Sequence, residues 1–312
     1  MKNKKIYIAG HKGLVGSAIH RKLQNLGHKN IITATRSELD LTNESKVSSF
    51  VGSHKPDIIF ICAAKVGGIH ANATYPVEFF LENVQIQNNI LTSAFRSKVQ
   101  KCLFLGSSCI YPKFCDQPIK EEYLLTGSLE ETNAAYALAK ISGLKLCEFY
   151  NNQYGTDYLS AMPCNLYGIN DNYNYPDCHV IPALIYKFHQ AKIKQEKVVD
   201  IWGSGNALRE FLDADDLAEA LIFLAKNSHA KDIGHFINIG SGLEVSIQNL
   251  ALLVKDIVGV NVDIKMNAAK PDGTPRKIID SSKINSIGWK ANIDLKTGLT
   301  KCYEDFQKGF RH

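Results

Sequence analysis

The feature that most narrows what this chain can fold into is the alternation, through its first half, of short apolar runs with longer amphipathic stretches. Residues 5–9, 30–35, 57–63 and 102–106 read as strands, and residues 15–26, 43–54, 78–97 and 134–154 as helices. Strands separated by helical crossovers pair in parallel, so the pattern predicts an α/β fold on a Rossmann-type doubly wound parallel sheet. After residue 165 the pattern changes. Tyr, Asn, Asp, Pro and His crowd residues 166–182, which read as a working loop. Helices over 181–191, 215–226 and 247–258 and strands over 198–202 and 236–239 follow. The expected division is a cofactor-binding domain of residues 1–165 and a smaller C-terminal α/β substrate lobe of residues 166–312, with some segments returning to the main sheet.

Composition removes several function classes. With 45% hydrophobic and 21% charged residues and only 9 Pro and 22 Gly, the chain has enough apolar material for a core and too little turn material for disorder. The 36 Lys+Arg against 31 Asp+Glu leave a net charge of +5 spread without a basic run, so no nucleic-acid partner is expected. The apolar runs fall well short of the roughly 18 residues that span a bilayer, so no membrane partner is expected. The amino terminus passes directly into a strand-like run with no signal-peptide core, which predicts a cytoplasmic protein. Cys62, Cys102, Cys109, Cys115, Cys147, Cys164, Cys178 and Cys302 contain no CxxC pair, so neither disulfides nor a metal site is expected.

Gly10, Gly13 and Gly16 form a GxxGxxG run where the first strand meets the first helix. There a backbone without side chains approaches a pyrophosphate closely, and the helix N-terminal N–H groups and dipole favour its charge. NAD-binding versions place an Asp or Glu at the end of the second strand to accept from the ribose 2′-OH. Here that strand runs into Thr35 and Arg36. A guanidinium pairs with a 2′-phosphate and stacks on adenine, so NADP(H) is the expected cofactor, with Lys12 a second candidate cation. Asp40 either caps the next turn or accepts from the adenine amino group.

Tyr136 and Lys140 stand at i and i+4, one turn apart on one helix face. A phenol with a pKa of about 10 is a poor acid and base near neutrality, and a close ammonium is expected to lower that value and to bind the cofactor ribose. Ser107 and Ser108 follow the fourth expected strand, at the carboxyl end where such sheets bind ligands. A Ser, Tyr and Lys behind a GxxGxxG run is a specific combination.

These residues resemble the extended short-chain dehydrogenase/reductases, and in particular those acting on GDP-linked 4-keto sugars. The resembling segments are IAGHKGLVGSAI at 8–19, AAKVGGIHAN at 63–72, FLGSSCIYP at 104–112, NAAYALAK at 133–140, NLYG at 165–168, CHVIPAL at 178–184, WGSG at 202–205, REFL at 209–212 and KPDGTPRK at 270–277. The resemblance implies a GDP-4-keto sugar substrate, epimerised at C3 and C5 and then reduced by NADPH at C4. Protons at C3 and C5 are acidified because their removal gives an enolate, so one acid/base pair serves both carbons. By resemblance that pair is Cys109 and His179, while Ser107 and Tyr136 bind the C4 oxygen and Tyr136 protonates it. The resemblance also implies cofactor contacts at His11, Leu14, Val15, Leu41, Ala63, Ala64, Leu105, Gly106, Ser108, Pro163, Asn165, Leu166 and His179. It implies substrate contacts at Asn165, Lys187, Trp202, Arg209, Asp272 and Lys277, and a homodimer through a four-helix bundle of residues 78–97 and 134–154.

The chain departs from the family pattern near the expected sugar pocket. It has Asn133-Ala134-Ala135-Tyr136 for the usual N-E-P-Y, Gly168-Ile169 for G-P, Asp213 for His and Lys12 for Arg. A heptose is therefore an alternative to a 6-deoxyhexose. Other readings also stay open: a reductase without epimerisation, an NAD-dependent 4-epimerase or dehydratase, and a noncatalytic NADP(H) sensor.

Overall fold

The structure, a computed structural model, describes residues 1, 3–175, 177–270 and 273–309. Its strands are β1 (Ile6–Ala9), β2 (Ile31–Ile32), β3 (Ile58–Ile61), β4 (Lys101–Leu105), β5 (Asp157–Pro163), β6 (Asn165–Tyr167), β7 (Val198–Trp202), β8 (Leu208–Asp213), β9 (Phe236–Ile239), β10 (Glu244–Ser246), β11 (Asp263–Asn267) and β12 (Arg276–Lys277). Its α-helices are α1 (Leu14–Asn25), α2 (Glu44–His54), α3 (Ile69–Thr74), α4 (Pro76–Arg96), α5 (Ala134–Tyr154), α6 (Val180–Lys194), α7 (Ala214–Asn227), α8 (Ala230–Ile233), α9 (Ile247–Val258), α10 (Ser282–Ser286) and α11 (Leu295–Gly309).

Six parallel strands form the main sheet in the order β2-β1-β3-β4-β5-β9. β1 and β3 are short unbroken apolar runs buried at every position, as strands covered on both faces require. Burying each of their isoleucines stabilises the fold by roughly 1.5–3 kcal/mol. α1 packs beside α7, while α2, α4 and α5 form a second helical layer. Because β2 and β3 flank β1, the winding reverses there, and a crevice opens beyond the carboxyl ends of β1 and β3.

A second apolar cluster, with Ile185, Phe188, Val199, Phe211, Val254 and Phe306, lies among α6, α9, α11 and the strands beside them. There β8 pairs with β6, β10 and β12, and β7 pairs with β11. β9 leaves this half of the chain and joins β5 in the main sheet.

The expected helices and all six expected strands are present with ends shifted by a few residues. β2 is only two residues long, because the chain turns out of the sheet ahead of Thr35. β5, β6, β8, β10, β11, β12 and the long helix α11 were not expected. β5 carries Asp157, Ser160 and Pro163, which break its apolar run, yet Ser160 is fully buried in the middle of the sheet. All eight cysteines are free thiols. Among the described residues no helix is long and apolar enough to cross a membrane.

Candidate active site

The crevice at the end of β1 is shaped by glycines. Gly10 turns the chain with φ +88°, and a Cβ there would stand 2.7 Å from the Ala63 amide nitrogen. A Cβ at Gly16 would stand 2.1 Å from the Gly10 carbonyl oxygen, so α1 lies against the turn closely enough that only hydrogen fits. Gly13 is the N-cap of α1 and puts no side chain over its first-turn N–H groups. The result is an open, positively polarised helix end beside a bare backbone turn, which fits a pyrophosphate.

His11, Lys12, Leu14 and Val15 line the turn and the first turn of α1, and the Lys12 carbonyl accepts a 2.6 Å hydrogen bond from the Asn170 side chain. Ala63 and Ala64 follow β3, while Leu105, Gly106 and Ser108 surround the end of β4. Pro163 closes β5, and Leu166 lies in β6. Arg36 follows β2 with 81% of its side chain exposed, 3.7 Å from Glu82. A cation so exposed beyond the second strand suits a 2′-phosphate. Asp40 accepts from the Thr42 amide at 3.0 Å and from its hydroxyl at 2.8 Å, so of its two expected roles it takes the turn cap. Leu41 accepts at its carbonyl from Asn89.

One crossing further along the sheet, β4 hands over to Ser107, whose Oγ accepts from the Cys109 amide at 3.2 Å and shares a hydrogen bond with Tyr136. α5 brings Tyr136 and Lys140 to the same place. Lys140 is 3% exposed, and its Nζ donates to the Leu105 carbonyl at 2.8 Å. The ammonium lies 5.7 Å from the Tyr136 ring centroid and 5.0 Å from that of Phe104. Burial lowers the Lys140 pKa to about 8.

The expectation that Lys140 depresses the Tyr136 pKa is corrected. Burial pushes the phenol well above its ordinary value, the nearby Cys109 sulfur adds to this, and only the Ser107 hydrogen bond opposes them. The ammonium is turned to a backbone carbonyl instead of the phenol, so desolvation decides. Tyr136 is thus a neutral phenol, an acid that keeps its proton until a base develops on its partner.

Cys109 is half-buried, with Lys277 Nζ 3.5 Å and Asn133 Nδ2 3.6 Å from its Sγ. Lys277, expected among the substrate contacts, is thereby aimed at the thiol. Asn133 was not expected as a site residue, although its place three residues before Tyr136 was the clue. His179 is the N-cap of α6, at the end of the segment that follows β6. Its ring is solvent-exposed at the surface yet lies among enough protein that desolvation lowers its pKa.

The remaining expected contacts lie across the second half of the chain. Lys187 donates to the Asp200 carbonyl at 2.7 Å, within 5.6 Å of the Tyr175 ring and 5.9 Å of the Trp202 ring. Burial lowers its pKa. These residues border an open hollow with Tyr186 and Glu196. Arg209, in β8, donates to the Leu208 carbonyl and is paired in register with Lys277. Asn165 directs its side-chain nitrogen to the Glu210 carbonyl at 2.8 Å, a tie between β6 and β8. Asp272 lies outside the described residues. Among the described residues no cluster suits a metal ion.

Glu210 is another residue that sequence reasoning missed. Fully buried, it accepts from the amides of Gly242 at 2.7 Å and Ile279 at 3.0 Å. It fixes the strands that carry Arg209 and Lys277, and no local pattern distinguishes it from a surface carboxylate.

Comparison with known proteins agrees with this geometry. The family described as NAD dependent epimerase/dehydratase matches residues 6–240. GDP-L-fucose synthase 1 of Arabidopsis thaliana is 52% identical over 307 residues, covering 98% of this chain and 94% of the relative. A GDP-6-OMe-4-keto-L-xylo-heptose reductase from C. jejuni superposes with a TM-score of 0.95 at 38% identity, with 99% of each chain covered. A GDP-mannoheptose C4 reductase from Campylobacter jejuni, solved with NADP bound, gives 0.90 at 39% identity over 98% of this chain and 99% of the other.

Proposed function

The chain belongs to the NAD dependent epimerase/dehydratase family, within the extended short-chain dehydrogenase/reductases, and from that premise we propose how its site works. It is an NADPH-dependent oxidoreductase that reduces the C4 ketone of a GDP-4-keto sugar after epimerisation at C3 and C5. The observation that carries the mechanism is the meeting of Ser107, Tyr136 and Lys140 with Cys109 in one recess at the end of β4.

The cradle of Gly10 and Gly16, the open end of α1 and Arg36 would hold the cofactor, and Lys140 would bind its ribose. When bound, NADPH supplies the hydride that C4 receives. Ser107 and Tyr136 donate hydrogen bonds to the C4 oxygen. For epimerisation, Cys109 as thiolate takes the proton from C3 or C5. The C–H electron pair becomes the C=C bond of an enolate, and the carbonyl pair moves to the oxygen held by Ser107 and Tyr136. His179 as imidazolium returns a proton to the same carbon from the other face, the carbonyl re-forms, and the thiol and imidazole reset by exchange with water. The lowered His179 pKa makes the protonated ring the stronger acid. In the reductive step Tyr136 gives its proton to the C4 oxygen, and the phenolate left behind takes a proton back from water. Lys187, Arg209 and Trp202 would hold the GDP portion through charge and stacking.

The division into a cofactor domain of residues 1–165 and a substrate lobe of residues 166–312 is supported by the second apolar cluster, which lies wholly in the later residues, while Leu212, Leu221, Ile237 and Trp289 return to the first. A homodimer through α4 and α5 is supported by the apolar side chains these helices leave in solvent, among them Val77, Leu81, Leu138 and Phe149. Eight free thiols suit the reducing cytoplasm.

Incubating the enzyme with the GDP-4-keto sugar in D₂O without NADPH tests the first step, and adding NADPH tests the second. Deuterium at C3 and C5 followed by NADPH oxidation is expected, with Tyr136→Phe losing turnover by about 10²-fold or more. NADPH oxidation without exchange would leave a reductase alone, and neither would remove the enzyme reading.

A further inference from the structure

Lys277 occupies an unusual position for a lysine. Its ammonium approaches a sulfur, Cys109 Sγ at 3.5 Å, and among the described residues no carboxylate lies within ion-pair distance of it. The recess it shares with Cys109 is lined by one acidic residue, Glu130. That carboxylate is already engaged by the Thr132 amide and hydroxyl and, at 3.6 Å, by Lys113. The charge of Lys277 therefore has the sulfur as its nearest chemical partner.

The backbone around Lys277 is held from three sides. β12 pairs with β8, placing Lys277 opposite Arg209. The next amide, Ile278 N–H, donates to Gln117 Oε1 at 2.9 Å, and the Ile278 carbonyl accepts from Ile119 at 2.8 Å. Ile279 N–H donates to the buried Glu210 at 3.0 Å. On the other side of the sulfur Asn133 supplies a second donor at 3.6 Å, and its Oδ1 is buried without a partner. Two N–H donors converge on one thiol, and one of them carries a full positive charge.

We propose that Lys277 is a positioning residue for Cys109, holding its sulfur with Asn133 and stabilising the negative charge the sulfur carries as it takes the sugar C3 or C5 proton. The proposal rests on the epimerase reading above. Donors on a sulfur hold it in place, and an ammonium 3.5 Å away attracts the negative charge that develops on it. This role differs from a diphosphate contact, which would act on binding of the nucleotide and so on both chemical steps alike.

The experiment compares wild type, Lys277→Met and Lys277→Arg. For each, deuterium wash-in at C3 and C5 of the GDP-4-keto sugar and hydride transfer at C4 from NADPH are measured separately at saturating sugar. Lys277→Met is expected to lower the ratio of exchange to hydride transfer at least tenfold, and Lys277→Arg to restore most of it. A ratio that stays at the wild-type value while KM rises would overturn the proposal and make Lys277 a nucleotide contact. A second readout needs no sugar: iodoacetamide labelling of Cys109, followed by peptide mapping, is expected to slow at least fivefold in Lys277→Met at neutral pH. Unchanged labelling would sink the idea whether or not wild type catalyses exchange. Absence of exchange in wild type, with labelling still dependent on Lys277, would instead remove the epimerase reading and leave the Lys277–Cys109 pairing standing.

Discussion

Lys140 shows how a single buried charge is used at a cost to the fold. Its pKa falls to about 8 from the ordinary 10.5 because the folded protein strips water from the ammonium. Between those values the unfolded chain binds more protons than the folded one, so stability rises with pH from about 8 to about 10.5, and below pH 8 the folded state bears the whole penalty. Lys140→Met is therefore expected to raise the unfolding midpoint of the cofactor-free protein at pH 7, while hydride transfer is lost. The desolvation relieved is of order 3 kcal/mol, and losing the bond to the Leu105 carbonyl reduces the net gain to about 1–2 kcal/mol. Denaturant titrations of both proteins at pH 7 and pH 10.5 check this, and a gain at pH 10.5 as large as at pH 7 would contradict it. Ser107, Tyr136 and Lys140 stood out in the sequence by spacing and company, and Cys109 by resemblance alone. The direction of the Tyr136 shift was not, since it depends on which atom the Lys140 ammonium faces and how much water remains.

At the scale of elements, the junction of β1 and α1 follows from glycine placement. The close approach of Gly16 to the Gly10 carbonyl lets the helix end stand open beside the turn. Gly16→Ala would force the two apart, and NADPH affinity is expected to fall at least tenfold, with about 1–3 kcal/mol lost from stability. Gly13→Ala, whose Cβ would stand an ordinary 3.5 Å from the same oxygen, is expected to cost far less. Fluorescence titration of NADPH with both variants separates them. α5 was legible to the residue, since Ala134 to Tyr154 is a long helical stretch that Gly155 ends in the left-handed region at φ +66°. β5 and β8 were not, because buried strands need not alternate, and a polar member can be satisfied by groups far along the chain. In β8, Glu210 is one such member, held by amides 32 and 69 residues away.

For the whole molecule, α4 and α5 pack together on one side of the sheet while Val77, Leu81, Leu138 and Phe149 stay between 48% and 62% exposed. Large exposed side chains on one helical layer are the kind of surface that the proposed dimer would bury. Leu81→Glu, at a position 49% exposed, is expected to leave the monomer's fold intact and to shift the protein from dimer to monomer in sedimentation experiments. A wild-type monomer would refute the dimer outright. By itself the sequence determined the α/β class, the glycine turn, the cofactor preference and the residue types of the reaction, because helical and strand periods and i, i+4 spacing are properties of neighbours along a chain. Only the tertiary structure decided that Lys277 meets Cys109 across 168 residues, that Asn165 ties β6 to β8, and that Tyr136 keeps its proton. Those outcomes depend on distance and on exclusion of water, which exist only once the strands are paired and the core is closed.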